Sequence, residues 1–348
     1  MEKTISLSSE WAEQDAVLMA WPHKGTDWNN ILDEVQECYS QIINIITRFD
    51  ETIILLVPDE ENRKFVTEKF GNKVYPLIIP VNDTWARDFG PLFVKKGTYF
   101  ICNDFKFNGW GLKFAADKDN LVTGLMSCHN IFSEEASYQN RLNFVLEGGS
   151  IESDGEGTLL TTAECLLSPN RNGEWNRLEI EEYLKSTFGL KRVLWLNNGA
   201  LQGDDTDSHI DTLARFCDRE TIVYVKCENK RDVHFEQLSY MEEELKSFRT
   251  IEGKPYRLIP LPMPEPIYFE EERLPATYAN FLIINKAVLV PTYSSIYDKD
   301  AIDALSSLYP DKTVIGVDCS ALIKQHGSLH CITMQLPAGT INHKILFR

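Results

Sequence analysis

The feature that most limits the fold of this chain is the alternation of two apolar patterns. Short runs rich in β-branched residues recur along its 348 residues: "AVLMAW", "TIILLVP", "YPLIIPV", "TLLTTAECLL", "RVLWLNN", "TIVYVKC", "FLIINKAVLVPTY", "TVIGVDC" and "HCITMQLP". Each has the composition of a strand. Between them lie "NNILDEVQECYSQIINIITRF", "EENRKFVTEKFG", "EWNRLEIEEYLKSTFG", "FEQLSYMEEELKSF" and "KDAIDALSSLY", which read as amphipathic helices. In the first, Ile31, Val35, Tyr39, Ile42, Ile43 and Ile46 share one face. Strands alternating with helices predict an α/β protein. "EEASYQNRLN" and "PMPEPIYFEEERLP" read as surface connections, and neither marks a domain boundary, so residues 1–348 are expected to form a single domain.

Charge and motifs narrow the function. With 52 acidic and 35 basic residues the net charge is −17, which argues against a nucleic-acid partner, because such binding rests on neutralised phosphates. The same charge mildly favours a cationic substrate, although acidity for solubility alone is the blander explanation. The N-terminal "MEKTISLSSEWAEQDAV" lacks the basic and long apolar stretches of a signal peptide, and no run of about 18 apolar residues could span a bilayer. A cytoplasmic protein without membrane partners is expected. Eight scattered cysteines without a C-x-x-C pair argue against a zinc ribbon and a disulfide framework. No glycine-rich phosphate loop follows a strand, so no nucleotide cofactor is expected.

The remaining information lies where polar residues interrupt the apolar runs. "VNDTWARDFGPLFV" places Asp83, Trp85, Arg87 and Asp88 before Gly90-Pro91, as an Arg87–Asp88 ion pair at a turn or as substrate-binding carboxylates. "FVLEGGSIESDGEGTLL" sets Glu147 before two glycines, which allow close approach of backbone or ligand, though an exposed glutamate in a hairpin fits the same letters. "GDDTDSHIDTLARF" puts His209 and Asp211 two residues apart, on one face if the segment is extended. A solvated acidic loop and a metal site are the alternatives there. Cys165, in an apolar run followed by "SPNRN", reads as core, with no base adjacent. His330 and Cys331 are neighbours, so in a strand they face opposite ways and cannot pair as base and nucleophile. Read alone, Cys331 is an ordinary core cysteine.

Taken in order, "WAEQDAVLMAWPHKGTDW", "NDTWARDFGP", "LEGGSIESDGEGTLLTTAECLLSPNRN", "DDTDSHIDTLARF", "YANFLIINKAVLVPTY" and "HGSLHCITMQLP" resemble the agmatine deiminases, of the guanidine-modifying superfamily that also holds the bacterial-type peptidylarginine deiminases. The resemblance runs from about residue 11 to residue 337. It implies a five-bladed α/β-propeller of pseudo-fivefold ββαβ repeats, a pattern not visible in the sequence itself. It places the nucleophile on Cys331, the acid/base histidine on His209, the second catalytic acid on Glu147 and the guanidinium-binding carboxylates on Asp88 and Asp211. It further implies agmatine as substrate, N-carbamoylputrescine and ammonia as products, no metal or organic cofactor, and a homo-oligomer such as a dimer. Trp85 is assigned to a wall along the substrate's methylene chain and Asp205 to its far amine. Two departures border the site: Ser208 stands where many members have glycine, and "KQHGSLHC" keeps Gly327 alone of a glycine-rich segment. Peptidylarginine or another guanidino compound is the alternative substrate. A metal hydrolase using His209, Asp211, Asp207 and Glu147, and a non-enzymatic guanidine- or polyamine-binding protein, are the alternative classes.

Overall fold

The computed structural model describes residues 5–346. By backbone packing the chain divides into two compact units, one holding Ala12–Gly148 and the segment from Cys331 onward, the other Ser6–Trp11 and Gly149–His330. Among the described residues, no helix is long and apolar enough to cross a membrane.

One strand pattern is used throughout both units: a middle strand pairs antiparallel on one side and parallel on the other. In the first unit Gln14–Ala20 lies between Met334–Pro337 (antiparallel) and Thr52–Val57 (parallel), with Val74–Ile78 added beyond. Tyr99–Lys106 lies likewise between Leu92–Lys96 and Ala136–Val145. In the second unit the middle strands are Thr158–Thr162, Thr221–Lys226 and Ala287–Thr292. Their parallel partners are Arg192–Leu196, Arg257–Pro262 and Thr313–Asp318, and helices occupy the intervening connections, as parallel pairing demands. Gln14–Ala20 and its parallel partner Thr52–Val57 are mostly apolar because both of their faces are covered: Ala16–Ala20 and Ile53–Leu56 have no solvent contact.

The helices follow the sequence pattern closely. Leu32–Arg48 buries Val35, Tyr39, Ile42, Ile43 and Ile46, each contributing about 2 kcal/mol of apolar burial. Asp59 caps Glu60–Phe70 by accepting from the Asn62 amide. Arg177–Phe188 begins with a reciprocal Asn176–Glu179 capping box and ends on left-handed Gly189.

Four local expectations are corrected. "EEASYQNRLN" is not a connection, since Ala136–Val145 is a strand, exposed over Ser137–Asn140 and buried only at its end. The run "TLLTTAECLL" splits: Thr162 accepts from the Cys165 amide and turns Ala163–Leu166 into a helix. "HCITMQLP" is a strand only from Met334, and Leu329–Ile332 form turns, so alternation of faces does not govern His330 and Cys331. His209 and Asp211 are not extended either; Asp211 lies in the single helical turn Ile210–Thr212, with His209 at its N-terminus.

One acidic knot braces the first unit. Asp83 accepts from the Thr84 amide and from the Trp85 indole N–H at 3.1 Å, while Asp119 accepts from the Asn82 amide at 2.6 Å. Burial, with the Asp27 and Asp119 charges adding to it, pushes the Asp83 carboxyl up to about 8, and burial pushes Asp119 up to about 7. A carboxyl raised in the folded state binds protons on folding, so its stabilisation is full below the ordinary carboxylate range and is lost as pH rises through the raised value. The contribution of Asp83 and Asp119 to stability should therefore fall between about pH 4 and pH 8, and Asp83→Asn should make the pH dependence of stability less negative over that range. Thermal melts across this range check it; a decline of unchanged slope in the variant would refute the assignment.

Candidate active site

The candidate residues divide between the two units, and each unit holds its share by its own devices. In the first unit, Asp88 sits in the short helix Ala86–Phe89, is 4% exposed, and accepts from the Trp110 indole N–H at 2.9 Å. Trp110 escaped the sequence reading. Its signal was the triplet Gly109-Trp110-Gly111: all three residues adopt left-handed backbone, and Phe114 O would lie 2.2 Å from a Cβ at position 109. Such strain in a non-glycine residue persists only where the surroundings over-determine it. Phe107 and Phe114 supply that, with rings 5.0 and 5.5 Å from Trp110.

The Arg87 amide donates to Cys331 O at 3.1 Å, so the helix bearing Asp88 and the turn bearing Cys331 are joined through backbone. The Arg87 guanidinium donates to Gln335 Oε1 and lies 3.5 Å from Met334 Sδ. Cys331 is buried, as is Glu147, which has no solvent contact; an exposed hairpin glutamate is thereby excluded. The glycine after Glu147 has a definite reason: a Cβ on Gly148 would meet Arg87 O at 2.2 Å. Trp85 is buried beside Trp28, ring centres 5.5 Å apart, with its indole tied to Asp83.

In the second unit, the acidic run 204–207 is a structured scaffold. Asp204 accepts from the Thr206 hydroxyl and the Ser208 amide, both at 2.6 Å. Asp207, a ligand in the metal-site alternative, instead meets Arg171 at 2.5 Å, and Arg171 also donates to Thr206 O. Asp205 is half-buried in this loop. The loop delivers His209, fully buried, and Ile210 and Leu213 anchor it in the hydrophobic core. Cys165 has a base beside it after all: its thiol and a His209 ring nitrogen lie within 4.8 Å.

Both departures from the family pattern fall on left-handed backbone. Asp207 and Ser208 each have φ 63°, and His326 has φ 65°. Glycine enters this region freely, whereas other residues need compensation. Ser208 has it in three bonds: its amide to Asp204, its hydroxyl to Glu164 at 3.1 Å, and its carbonyl accepting from Thr162. His326 has its Nδ1 2.6 Å from Gly203 O.

Asp211 has no solvent contact. Its Oδ2 meets the Asn280 side-chain amide at 3.2 Å and His330 Nδ1 at 2.7 Å. Beyond it, His330 Nε2 lies 2.9 Å from both oxygens of Glu10, Glu10 pairs with Arg215, and Arg215 pairs with Glu152. None of Glu10, Glu152, Arg215 and Asn280 was singled out in the sequence. A buried arginine in the apolar run "TLARF" was the available signal.

Ser208→Gly should change unfolding free energy by less than about 1 kcal/mol, since lost strain offsets the lost hydroxyl bond. Ser208→Val, with a branched side chain at positive φ, should cost clearly more. Urea unfolding of the pair checks this, and equal losses would contradict it.

A profile of the Porphyromonas-type peptidyl-arginine deiminase family matches residues 6–337. A Legionella pneumophila protein described as "Putative agmatine deiminase" is 32% identical over 334 residues, covering 95% of each chain. Among solved structures, the "Putative Arginine Deiminase" of Porphyromonas gingivalis is 52% identical with a TM-score of 0.93, covering 97% of this chain and all of the other. A cysteine-to-serine variant of C. jejuni agmatine deiminase with substrate bound is 39% identical with a TM-score of 0.88, covering 95% and 96%. This chain belongs to the Porphyromonas-type peptidyl-arginine deiminase family.

Proposed function

We propose that the protein is a hydrolase that deiminates agmatine, with Cys331 as nucleophile, His209 as acid and base, Glu147 as second catalytic acid, and Asp88 and Asp211 as the guanidinium-binding carboxylates. One observation carries this reading: all five side chains are at most 6% exposed, and three of them are carboxylates. Burying ionised carboxylates is costly unless something compensates, and a cationic substrate would supply that compensation. The five-bladed propeller belongs to the same proposal; the recurrence of one strand-pairing pattern five times among the described residues supports it.

The chemistry follows from the substrate. A guanidinium is planar, delocalised and permanently charged, hence a poor electrophile. Two carboxylates accepting paired N–H bonds fix its plane and orient its carbon. The Cys331 thiolate adds to that carbon, forming the C–S bond and a tetrahedral adduct. A proton from the His209 imidazolium goes to one nitrogen, and the C–N bond breaks to release ammonia, leaving an S-alkylthiouronium. Water, losing a proton to the now neutral His209, adds to the same carbon. The C–S bond then breaks and the added hydroxyl releases its proton to solvent, giving the neutral ureido product and restoring the thiolate, with His209 left as imidazolium. The atoms balance as one agmatine and one water giving N-carbamoylputrescine and ammonia. The step needs no oxidant and no nucleotide.

The far end of the substrate decides its name. Agmatine is supported by the C. jejuni and L. pneumophila relatives named for it, at 39% and 32% identity, and free arginine by the P. gingivalis neighbour named for it, at 52%. Trp85 is assigned to the methylene chain and Asp205, half-buried in the loop that carries His209, to the terminal amine. Purified protein should form ureido product from agmatine, and much less from free arginine or an arginyl peptide. Cys331→Ser should lose at least about 1,000-fold in kcat, as nucleophile removal does elsewhere. Activity on the peptide alone would move the reading to peptidylarginine. Activity that survived Cys331→Ser would end it.

A further inference from the structure

His330 sits beside the nucleophile in sequence, yet its ring is committed elsewhere. Nδ1 lies 2.7 Å from Asp211 Oδ2, and Nε2 lies 2.9 Å from both carboxylate oxygens of Glu10. A neutral imidazole has one N–H and one lone pair, so it can donate to only one of these carboxylates and must set its lone pair against the other. Only the imidazolium donates to both. The rest of the array agrees in sign: Glu10 pairs with Arg215, which pairs with Glu152 and donates to Ala279 O and Phe281 O at 3.1 and 2.9 Å. Charges thus alternate from Asp211 through His330, Glu10 and Arg215 to Glu152. His330, Asp211 and Arg215 are at most 1% exposed, so water does little of this work.

We propose that His330 is a positioning residue, a buried imidazolium clamped between Glu10 and Asp211 that holds the Asp211 carboxylate turned for the substrate guanidinium. This rests on the reading of Asp211 as a guanidinium-binding carboxylate. Asn280 completes the clamp. Its side-chain amide donates to the same Oδ2, while its carbonyl oxygen accepts from the His330 backbone amide at 2.9 Å. The two donors meet on one oxygen and so fix the rotation of the carboxylate. Glu10 makes the segment Ser6–Trp11 part of this apparatus.

Two substitutions separate this role from simple packing. Asparagine places its amide nitrogen where the His Nδ1 stands, so His330→Asn retains a donor to Asp211 and loses the one to Glu10. Glutamine places its nitrogen where Nε2 stands, so His330→Gln retains the Glu10 donor and loses the Asp211 one. With agmatine as substrate, His330→Gln should raise KM about tenfold or more, while His330→Asn stays within about threefold of the parent. A purely structural role would make the two variants alike in KM, or make His330→Asn the worse, and either result would overturn the proposal. Nitrogen NMR of the 15N-histidine-labelled wild-type protein, with His330 assigned by its absence from the His330→Asn spectrum, should show both ring nitrogens protonated at pH 7–8. A neutral tautomer there would overturn the clamp itself. Absence of agmatine turnover by the wild-type chain would instead overturn the functional reading, and with it the purpose given to the clamp.

Discussion

The structure turns on the cost of holding carboxylates away from water. Asp88, Glu147 and Asp211 are all at most 4% exposed, and a protein selected for stability alone would replace such groups with apolar ones. What surrounds Asp88 and Asp211 explains how the cost is met. Asp88 takes an indole N–H from a tryptophan held in left-handed backbone between two glycines. Asp211 takes an asparagine amide and an imidazole, and the imidazole is backed by a buried chain of alternating charge. Each device orients a carboxylate as well as giving it a donor, which is what the proposed recognition of a planar cation requires.

The loops that carry these groups show the same economy of position over propensity. Asp207, Ser208, Trp110 and His326 all adopt left-handed backbone without being glycine. At Ser208 three hydrogen bonds offset the strain, and they tie the His209 loop to Glu164 and Thr162. Gly148 is the opposite case: its contact with the Arg87 carbonyl excludes any side chain. Rigid, strained backbone holding chemistry-bearing side chains is the arrangement expected where geometry matters more than stability.

The α/β character was legible, because the Val, Ile and Leu runs of strands such as Thr52–Val57 and Ala287–Thr292 are continuous and the helix Leu32–Arg48 keeps one apolar face. The fivefold recurrence of strand pairing was not legible, since the helices and loops between paired strands differ in length and no residue type repeats with them. Ala136–Val145 was missed because it is exposed over Ser137–Asn140 and buried only at its end, and His330 because a turn was mistaken for a strand. The residue types expected at the site, Cys331, His209, Glu147, Asp88 and Asp211, came from six blocks matched in order rather than from any one of them. Their supports stayed hidden for a physical reason. Glu10 and His330 are 320 residues apart, and Arg215 lies 63 residues from Glu152, so only folding brings these groups together.

The central claim is covalent chemistry at Cys331 on a guanidinium carbon. Intact-protein mass spectrometry of a rapidly quenched mixture of enzyme and excess agmatine tests it most directly. The account predicts a species heavier by one agmatine less one ammonia, mapping to the peptide that contains Cys331 and absent from Cys331→Ser. Ureido product formed under the same conditions with no such species, or with the added mass on another residue, would contradict it.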